Sequence, residues 1–390
     1  MAVPAGVLRP AWADIDLDAL VANFTVIAGE VAPAGVLAVV KADAYGHGAA
    51  RVGRALEAAG VPWLGVALVE EGAAVRAAGV RTPILVLGPA SADQLPLFRR
   101  YRLTPTVTSL EQLVLWRDWS AAAGGRQAFH LKIDTGMTRL GLAPDEVAPA
   151  LEIVRGAADS LQLAGFLSHL ADADQLLSTQ NAAQQQRFGV ALGQLLPEER
   201  AGAIVHFANS AGALHHAATR HDLVRIGMAL YGLDPAGRHS GLRPVMSVRA
   251  RIVRLREVPS GTRLGYGGKR ITQRRSRIAL VPLGYADGYG HRLSDRAEAL
   301  VGGRRVPVAG AVSMDMTLVD VTDVAAAVGD EVVLLGRQGD KEVTAGELAR
   351  VAGTIPWEIL CLLGGLRLTR RYWQGGQVVD TRSRFDRGMS

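Results

Sequence analysis

The sequence predicts an α/β fold: a (β/α)8 TIM-like barrel followed by a mostly β C-terminal domain. Three observations carry this. In the first part of the chain, short β-branched runs alternate with amphipathic, alanine-rich stretches, the rhythm of repeated βα units around a parallel sheet. The runs number eight, the count that closes such a barrel. Beyond the turn formers Asp234-Pro235-Ala236-Gly237 the helical rhythm nearly vanishes. The expected domains are therefore residues 1–236, the barrel, and 237–390, the β domain.

The strands predicted for the barrel are Val36–Lys41, Trp63–Leu68, Pro83–Leu87, Leu103–Val107, Phe129–Ile133, Leu163–Ser168, Ile204–Ala208 and Leu223–Ile226. Helical segments between them include Ala50–Ala59, Leu110–Ala122, Pro144–Arg155 and Gln180–Leu196. In the second domain Val248–Val258, Arg277–Val281, Arg305–Val308, Thr317–Val321 and Glu331–Leu335 read as strands separated by Gly, Pro and Asp. One helix is expected there, at Ala345–Ala352.

Composition narrows the class. The 390 residues are 49% hydrophobic and 21% charged, enough for a substantial core and unlike a disordered chain. The net charge is +6, yet the densest basic run, Arg270 to Arg277, is interrupted by Thr and Gln and reads as a solvated loop or strand edge. Nucleic acid is therefore not the expected partner. The single cysteine, Cys361, permits no intrachain disulfide. Met1 to Asp18 contains no apolar leader core, and no apolar stretch has the ~20 residues that span a bilayer. A cytoplasmic protein with no membrane association is expected, and no metal site.

In a barrel of this kind, functional side chains gather at the carboxyl ends of the strands. Lys41 ends the first predicted strand. Asp134 and Arg139 follow the fifth, with glycines beside them, and Ser168-His169 ends the sixth. The seventh ends in Asn209-Ser210-Ala211-Gly212 and the eighth in Arg225-Ile226-Gly227-Met228. Each has a plain alternative: Lys41 as a solvent-facing strand end, His169 as a structural imidazole, Asn209 and Ser210 as a helix N-cap, Arg225 as a surface partner of Asp222. Their convergence on one rim outweighs these. Ser210 and the amides near Gly227 suit a phosphate. A lysine of lowered pKa beside it could form an imine with an aldehyde cofactor. The residues alone lead to a barrel for an anionic ligand, with Lys41 as its candidate Schiff-base lysine.

Sequence blocks across both domains resemble bacterial alanine racemases, fold-type III enzymes that use pyridoxal 5′-phosphate (PLP). The blocks are Arg9-Pro10-Ala11-Trp12-Ala13-Asp14-Ile15-Asp16-Leu17, Val39-Val40-Lys41-Ala42-Asp43-Ala44-Tyr45-Gly46-His47-Gly48, and Lys132-Ile133-Asp134-Thr135-Gly136-Met137 with Arg139-Leu140-Gly141. They continue as Ser168-His169-Leu170-Ala171, Ala208-Asn209-Ser210, Arg225-Ile226-Gly227, Gly265-Tyr266-Gly267, Gly284-Tyr285-Ala286-Asp287-Gly288 and Ser313-Met314-Asp315. The resemblance implies a homodimer whose active sites draw on both subunits, supplying D-alanine for peptidoglycan. It implies that Lys41 carries PLP and acts on the D-side of the substrate carbon, with Tyr266 of the partner subunit as the opposite base. Tyr45, Asn209, Ser210, Gly227 and Met228 match cofactor-holding positions, as does Trp357. Arg225 matches the residue facing the pyridine nitrogen, and His169 the link from that arginine to the tyrosine. Arg139, Met314 and Asp315 match substrate-binding positions, and Tyr285 the inner access to the site. Lys132 matches a lysine often carbamylated in this family, whose added negative charge would hold Arg139.

The implied chemistry is two-base racemisation of an amino acid. Three departures stand out. Trp357 occupies a position where the family typically has tyrosine, Ala311 one where many members have arginine, and Ser313 one where cysteine is frequent. Trp357 and Ala311 are expected to alter substrate access or preference. Competing readings are a racemase preferring serine or several amino acids, a fold-type III decarboxylase, whose C-terminal cysteine motif is absent, and a non-enzymatic PLP carrier, which would lack the β domain.

Overall fold

A computed structural model describes residues 9–365 and 367–383. The first eight residues, part of the stretch read above for a leader, lie outside the described residues. The described residues divide into two compact units: one of residues 20–44 and 49–243, the other of 9–19, 45–48, 244–365 and 367–383.

The first unit is a parallel, TIM-like near-barrel of eight strands. With the N-terminal strand Ala11–Asp16 as β1, the barrel strands are β2 (Gly35–Val39), β3 (Trp63–Val66), β4 (Ile84–Val86), β5 (Leu103–Val107), β6 (Gln127–Lys132), β7 (Leu161–Leu167), β8 (Ile204–His206) and β9 (Leu223–Ile226). They run β8-β7-β6-β5-β4-β3-β2-β9, and every pairing is parallel. The amides of Asp222 and Arg225 donate to the carbonyls of Val205 and Ala208, both at 3.0 Å, across the remaining gap between β8 and β9. All eight runs expected from the sequence are present. Their residues are mostly apolar on both faces because helices cover the outside and side chains fill the inside. Phe129, Leu131, Phe166, Val205 and Val224 are fully buried.

Two buried imidazoles interrupt this core, His130 and His206. Gly165 makes room for one of them: a Cβ there would lie 2.3 Å from His130 Nδ1. A residue with any side chain at this position would displace the ring.

The second unit is mostly β. Strand β1 lies between Met246–Arg251, antiparallel, and Thr369–Gln374, parallel. Residues 9–19 thus sit with the β-rich part of the chain through pairings distant in sequence, which no local pattern signals. The predicted single strand Val248–Val258 is two, Met246–Arg251 and Arg254–Val258. Between them the chain changes sheets: the Ile252 amide bonds the Asp330 carbonyl and the Val253 amide the Leu280 carbonyl, both at 2.9 Å. The helix Ala345–Ala352 is where expected, capped by the Thr344 hydroxyl on the Glu347 amide. A second helix, Pro356–Leu363, starts with proline at its first turn, where the missing N–H costs nothing. In the basic run, Arg274 pairs with Asp323 and Arg275 with Glu257, all exposed, as a solvated edge requires. Among the described residues no helix is long and apolar enough to cross a membrane.

Candidate active site

In the barrel unit the expected residues converge. Lys41 lies two residues past the end of β2 and is half-buried. Its neighbours adopt an uncommon conformation. Ala42, Asp43, Ala44 and Tyr45 have φ of 51, 52, 57 and 53°, one left-handed helical turn without glycine. Left-handed L-residues cost ~1–2 kcal/mol each, so the turn stores roughly 4–8 kcal/mol. Local bonds hold it: the Ala44 amide donates to Val40 O at 2.9 Å, the Ala49 amide to Asp43 Oδ1 at 2.7 Å, and the Ala42 amide to Glu71 Oε1 at 2.6 Å.

Arg225, on β9, is buried rather than paired with Asp222, whose carboxylate instead accepts from the Val205 amide and Arg200. Its Nη1 donates to His206 Nδ1 at 3.0 Å and to His206 O at 2.9 Å. Its Nη2 donates to His169 Nδ1 at 3.0 Å and to the carbonyls of Ser168 and Phe207 at 2.5 and 2.9 Å. Nε takes part in none of these bonds. Because a guanidinium only donates, His206 and His169 must both present a bare Nδ1 and carry their proton on Nε2. His206 Nε2 then donates to His130 Nδ1, 2.8 Å away.

Burial dominates the titration of the group. It lowers Arg225 to about 9, with Arg139 adding repulsion, and His130 to about 3, with Arg225 adding to it. His169 and His206 are held well below the usual imidazole range by burial and then by Arg225. The imidazoles are therefore neutral at neutral pH, and the arginine carries the charge.

Lys132, at the end of β6, is 7% exposed. Burial, Arg225, Arg139 and Lys41 lower it to about 8, opposed only by Asp134. His169 feels Arg225, Lys132, Arg139 and Lys41. The rim thus gathers four cationic side chains within electrostatic reach of one another.

Asp134 does not neutralise that cluster so much as shape it. Its Oδ1 accepts from the amides of Gly136, Met137 and Thr138 at 2.8, 2.9 and 3.1 Å, organising the loop that carries the exposed Arg139. Gln184, fully buried, ties this loop to the one after β7 through Thr135 Oγ1, His169 O and the Ala171 amide.

At the other side of the rim, Ser210 Oγ accepts from the Gly227 amide at 3.0 Å and the Ala229 amide at 3.5 Å. Its own proton is left to donate. Met228 follows Gly227 in a short 3-10 turn. Asn209 is committed on both ends of its amide, capping Gly212 N and donating to Leu170 O. The donor set suits an anionic aldehyde: an amine to condense, the Ser210 hydroxyl for a phosphate, and a buried cation with a spare N–H for a ring nitrogen.

The other expected residues belong to the second unit. Tyr266 is 78% exposed, at the tip of the hairpin formed by Arg263–Leu264 and Arg270–Ile271. Gly265 and Gly267 flank it at φ 65 and 69°, which permits the sharp turn that projects the ring. Tyr285 and Met314 are brought together by paired backbones: the Tyr285 amide donates to Ser313 O and the Ala286 amide to Met314 O, both at 3.0 Å. Gly284 allows this approach, since a Cβ there would lie 2.2 Å from Ser313 O. Asp315 pairs with Arg367 at 2.7 Å. Trp357 stands in the first turn of the helix Pro356–Leu363, and Ala311 is buried. Tyr45 groups with this unit, where burial and Cys361 push its hydroxyl above the usual range.

Sequence reasoning missed Glu71, Gln184, His130 and His206. A histidine inside each of two strand runs, Phe129–Ile133 and Ile204–Ala208, was the available signal for the last two. Nothing local distinguishes Glu71 from an ordinary acidic residue in a helix's first turn.

Comparison with known proteins agrees with this geometry. Residues 15–235 match the family described as alanine racemase, N-terminal domain, and residues 245–372 match alanine racemase, C-terminal domain. The chain is 41% identical to an alanine racemase of Synechocystis over 90% of its length and 96% of that protein. It is 41% identical to one from Symbiobacterium thermophilum, covering 94% and 98%. Its structure is similar to that of alanine racemase from Bacillus anthracis with bound L-Ala-P, with a TM-score of 0.90, 32% identity and coverage of 97% and 99%. It is also similar to the Bartonella henselae alanine racemase with covalently bound pyridoxal phosphate, with a TM-score of 0.86, 32% identity and coverage of 94% and 100%. With family matches in both parts of the chain and a barrel rim bearing Lys41, Lys132, Arg139, His169 and Arg225, the chain belongs to the alanine racemase family.

Proposed function

We propose that this protein interconverts L- and D-alanine with PLP as cofactor, and that Lys41 and Tyr266 are its two bases. The observation that carries the proposal is the cationic rim around Lys41, with its neutral imidazoles and spare donors. Lys41 would hold the cofactor covalently. Ser210, Gly227 and Met228 would hold its phosphate, together with Tyr45. Arg225 would meet its ring nitrogen through Nε. Asn209 caps the turn that carries Ser210, and Trp357 would meet the phosphate where the family typically has tyrosine. When bound, PLP supplies the electron sink that acidifies the substrate's α-carbon.

The chain's own groups do the rest. Racemisation needs an acid–base group on each face of one carbon. Lys41 takes or gives the proton on the D-side. Tyr266, contributed by a second copy of the chain in a homodimer, serves the L-side; its exposure within one chain supports that sharing. Arg139 binds the substrate carboxylate, with Met314 and Asp315 completing that end. Lys132, as a carbamate, gives Arg139 a negative partner. Tyr285 lines the inner access. Arg225 stays cationic beside neutral His169 and His206, so with PLP bound it would donate a hydrogen bond to the ring nitrogen without giving up its proton, which would moderate the cofactor's electron withdrawal and limit side reactions.

The setting we infer is cytoplasmic, with D-alanine delivered to peptidoglycan synthesis. The test is an assay of purified protein with PLP on L-alanine, L-serine and larger L-amino acids, following D-product and deuterium incorporation at Cα. Alanine should be the fastest substrate. PLP binding without racemisation of any substrate would overturn the proposal, and faster turnover of serine would move it to the broader racemases.

A further inference from the structure

Lys41 lies between two pinned peptides. On one side the Val40 amide donates to Gly65 O at 2.8 Å. On the other the Ala42 amide donates to Glu71 Oε1 at 2.6 Å. The second oxygen of the same carboxylate, Oε2, accepts from the amides of Ala67 at 2.7 Å and Leu68 at 3.2 Å. Both pins therefore lead to one short segment, the end of β3 and the loop after it.

A capping role for the helix Val69–Ala77 accounts for Oε2, which satisfies N–H groups at the helix start. It does not account for Oε1, which is directed at a residue 29 positions earlier in the chain. Burial does not hold the left-handed turn at this point, because Ala42 and Asp43 are exposed. The turn is unfavourable for every one of its residues, so the chain would leave it if the bonds did not persist.

We infer that Glu71 is a positioning residue for Lys41: its carboxylate locks the left-handed turn to the β3 loop and so fixes where the lysine amine stands. The inference rests on the proposed role of Lys41 as the cofactor-holding residue. A carboxylate is needed because both arms must accept. A glutamine side chain presents one oxygen and one NH2 group, so one arm would set N–H against N–H. Release of the Ala42 arm lets the turn relax toward right-handed geometry and redirects the Cα–Cβ bond of Lys41.

The test compares Glu71→Gln with the unaltered protein. Hydrogen exchange at the Ala42 amide is followed by mass spectrometry or NMR, and covalent capture of added PLP at Lys41 by borohydride trapping and peptide mapping. In the unaltered protein the Ala42 amide should be protected despite its exposure. In Glu71→Gln that exchange should quicken at least ~10-fold, and PLP capture and kcat for alanine should fall by a similar factor while KM changes less. Melting should stay close to that of the unaltered protein. Unprotected exchange at Ala42 in the unaltered protein overturns the clamp, a measurement that does not depend on the variant folding. Faster exchange with capture and kcat unchanged overturns the positioning role and leaves Glu71 a structural cap. Failure of the unaltered protein to capture PLP overturns the functional reading itself, which the Ala42 exchange does not address.

Discussion

Lys132 offers a worked test of the electrostatics of the rim. Burial and the nearby Arg225, Arg139 and Lys41 lower it from 10.5 to about 8. At pH 7 roughly one amine in ten is then neutral, against about one in 3000 for an unperturbed lysine, a gain of ~300-fold. Only the neutral amine attacks CO2, so this side chain should be carbamylated where exposed lysines are not. The product replaces a cation by an anion among three cations, which turns its repulsion by Arg225, Arg139 and Lys41 into attraction. The protonated amine should also destabilise the fold. Since its folded pKa is below its unfolded value, the penalty is full below about pH 8, near 3 kcal/mol, and fades as pH rises toward 10.5. The assay is NMR of protein equilibrated with 13C-bicarbonate from about pH 6 to about pH 9, with Lys132→Met as control. A carbamate signal should grow in as pH approaches 8 and be absent from the control. Lys132→Met should melt higher than the CO2-free unaltered protein at pH 7. A signal appearing only near the pKa of exposed lysines, or no rise in melting, would mean that Lys132 is not destabilised as a cation.

Other expectations follow from the same geometry. The three neutral imidazoles His130, His169 and His206 have folded pKa values below their unfolded ones, so stability is present above about pH 6.5 and should be lost as pH falls, at up to ~4 kcal/mol per unit in acid unfolding curves. Asp134→Ala removes the acceptor of three backbone amides and should loosen the Arg139 loop by ~2–4 kcal/mol, read in steady-state kinetics as a raised KM with a smaller change in kcat. Gly284→Ala should shift the paired Tyr285 and Met314 backbones and lower the melting temperature, since its Cβ would meet Ser313 O at 2.2 Å. Ala311→Arg and Trp357→Tyr should change relative rates across an amino-acid panel. Ala311 is buried, and its backbone N lies 3.5 Å from where a Cβ on Gly265 would sit, so a longer side chain must pass beside the Tyr266 turn.

The barrel was legible because its physics is local. Each strand is an apolar run buried on both faces, and Gly and Pro punctuate the turns between them. The residues at strand ends, Lys41, Asp134, Arg139, His169, Ser210 and Arg225, could be placed on one rim by that rhythm alone, whereas Lys132 was singled out only by the family resemblance. What joins them could not. His206 reads as one polar residue in the run Ile204–Ala208, and only the closed barrel brings it between Arg225 and His130. Glu71 reads as a first-turn acid, and only the folded turn after Lys41 reveals its second oxygen's partner. The second unit was less legible for a related reason. Its larger sheet sets β1 beside Thr369–Gln374, so these pairing partners are over 350 residues apart. Neither strand's own pattern names the other.

If Lys41 and Tyr266 act on opposite faces of one carbon, deuterium incorporation at Cα in heavy water by the Tyr266→Phe holoenzyme should depend on whether the substrate is L-alanine or D-alanine. D-Alanine should still exchange, with retention, because Lys41 serves that face, while exchange from L-alanine and racemisation fall by ~100-fold or more. Equal exchange from both enantiomers, or racemisation at the unaltered rate, would contradict these opposed roles.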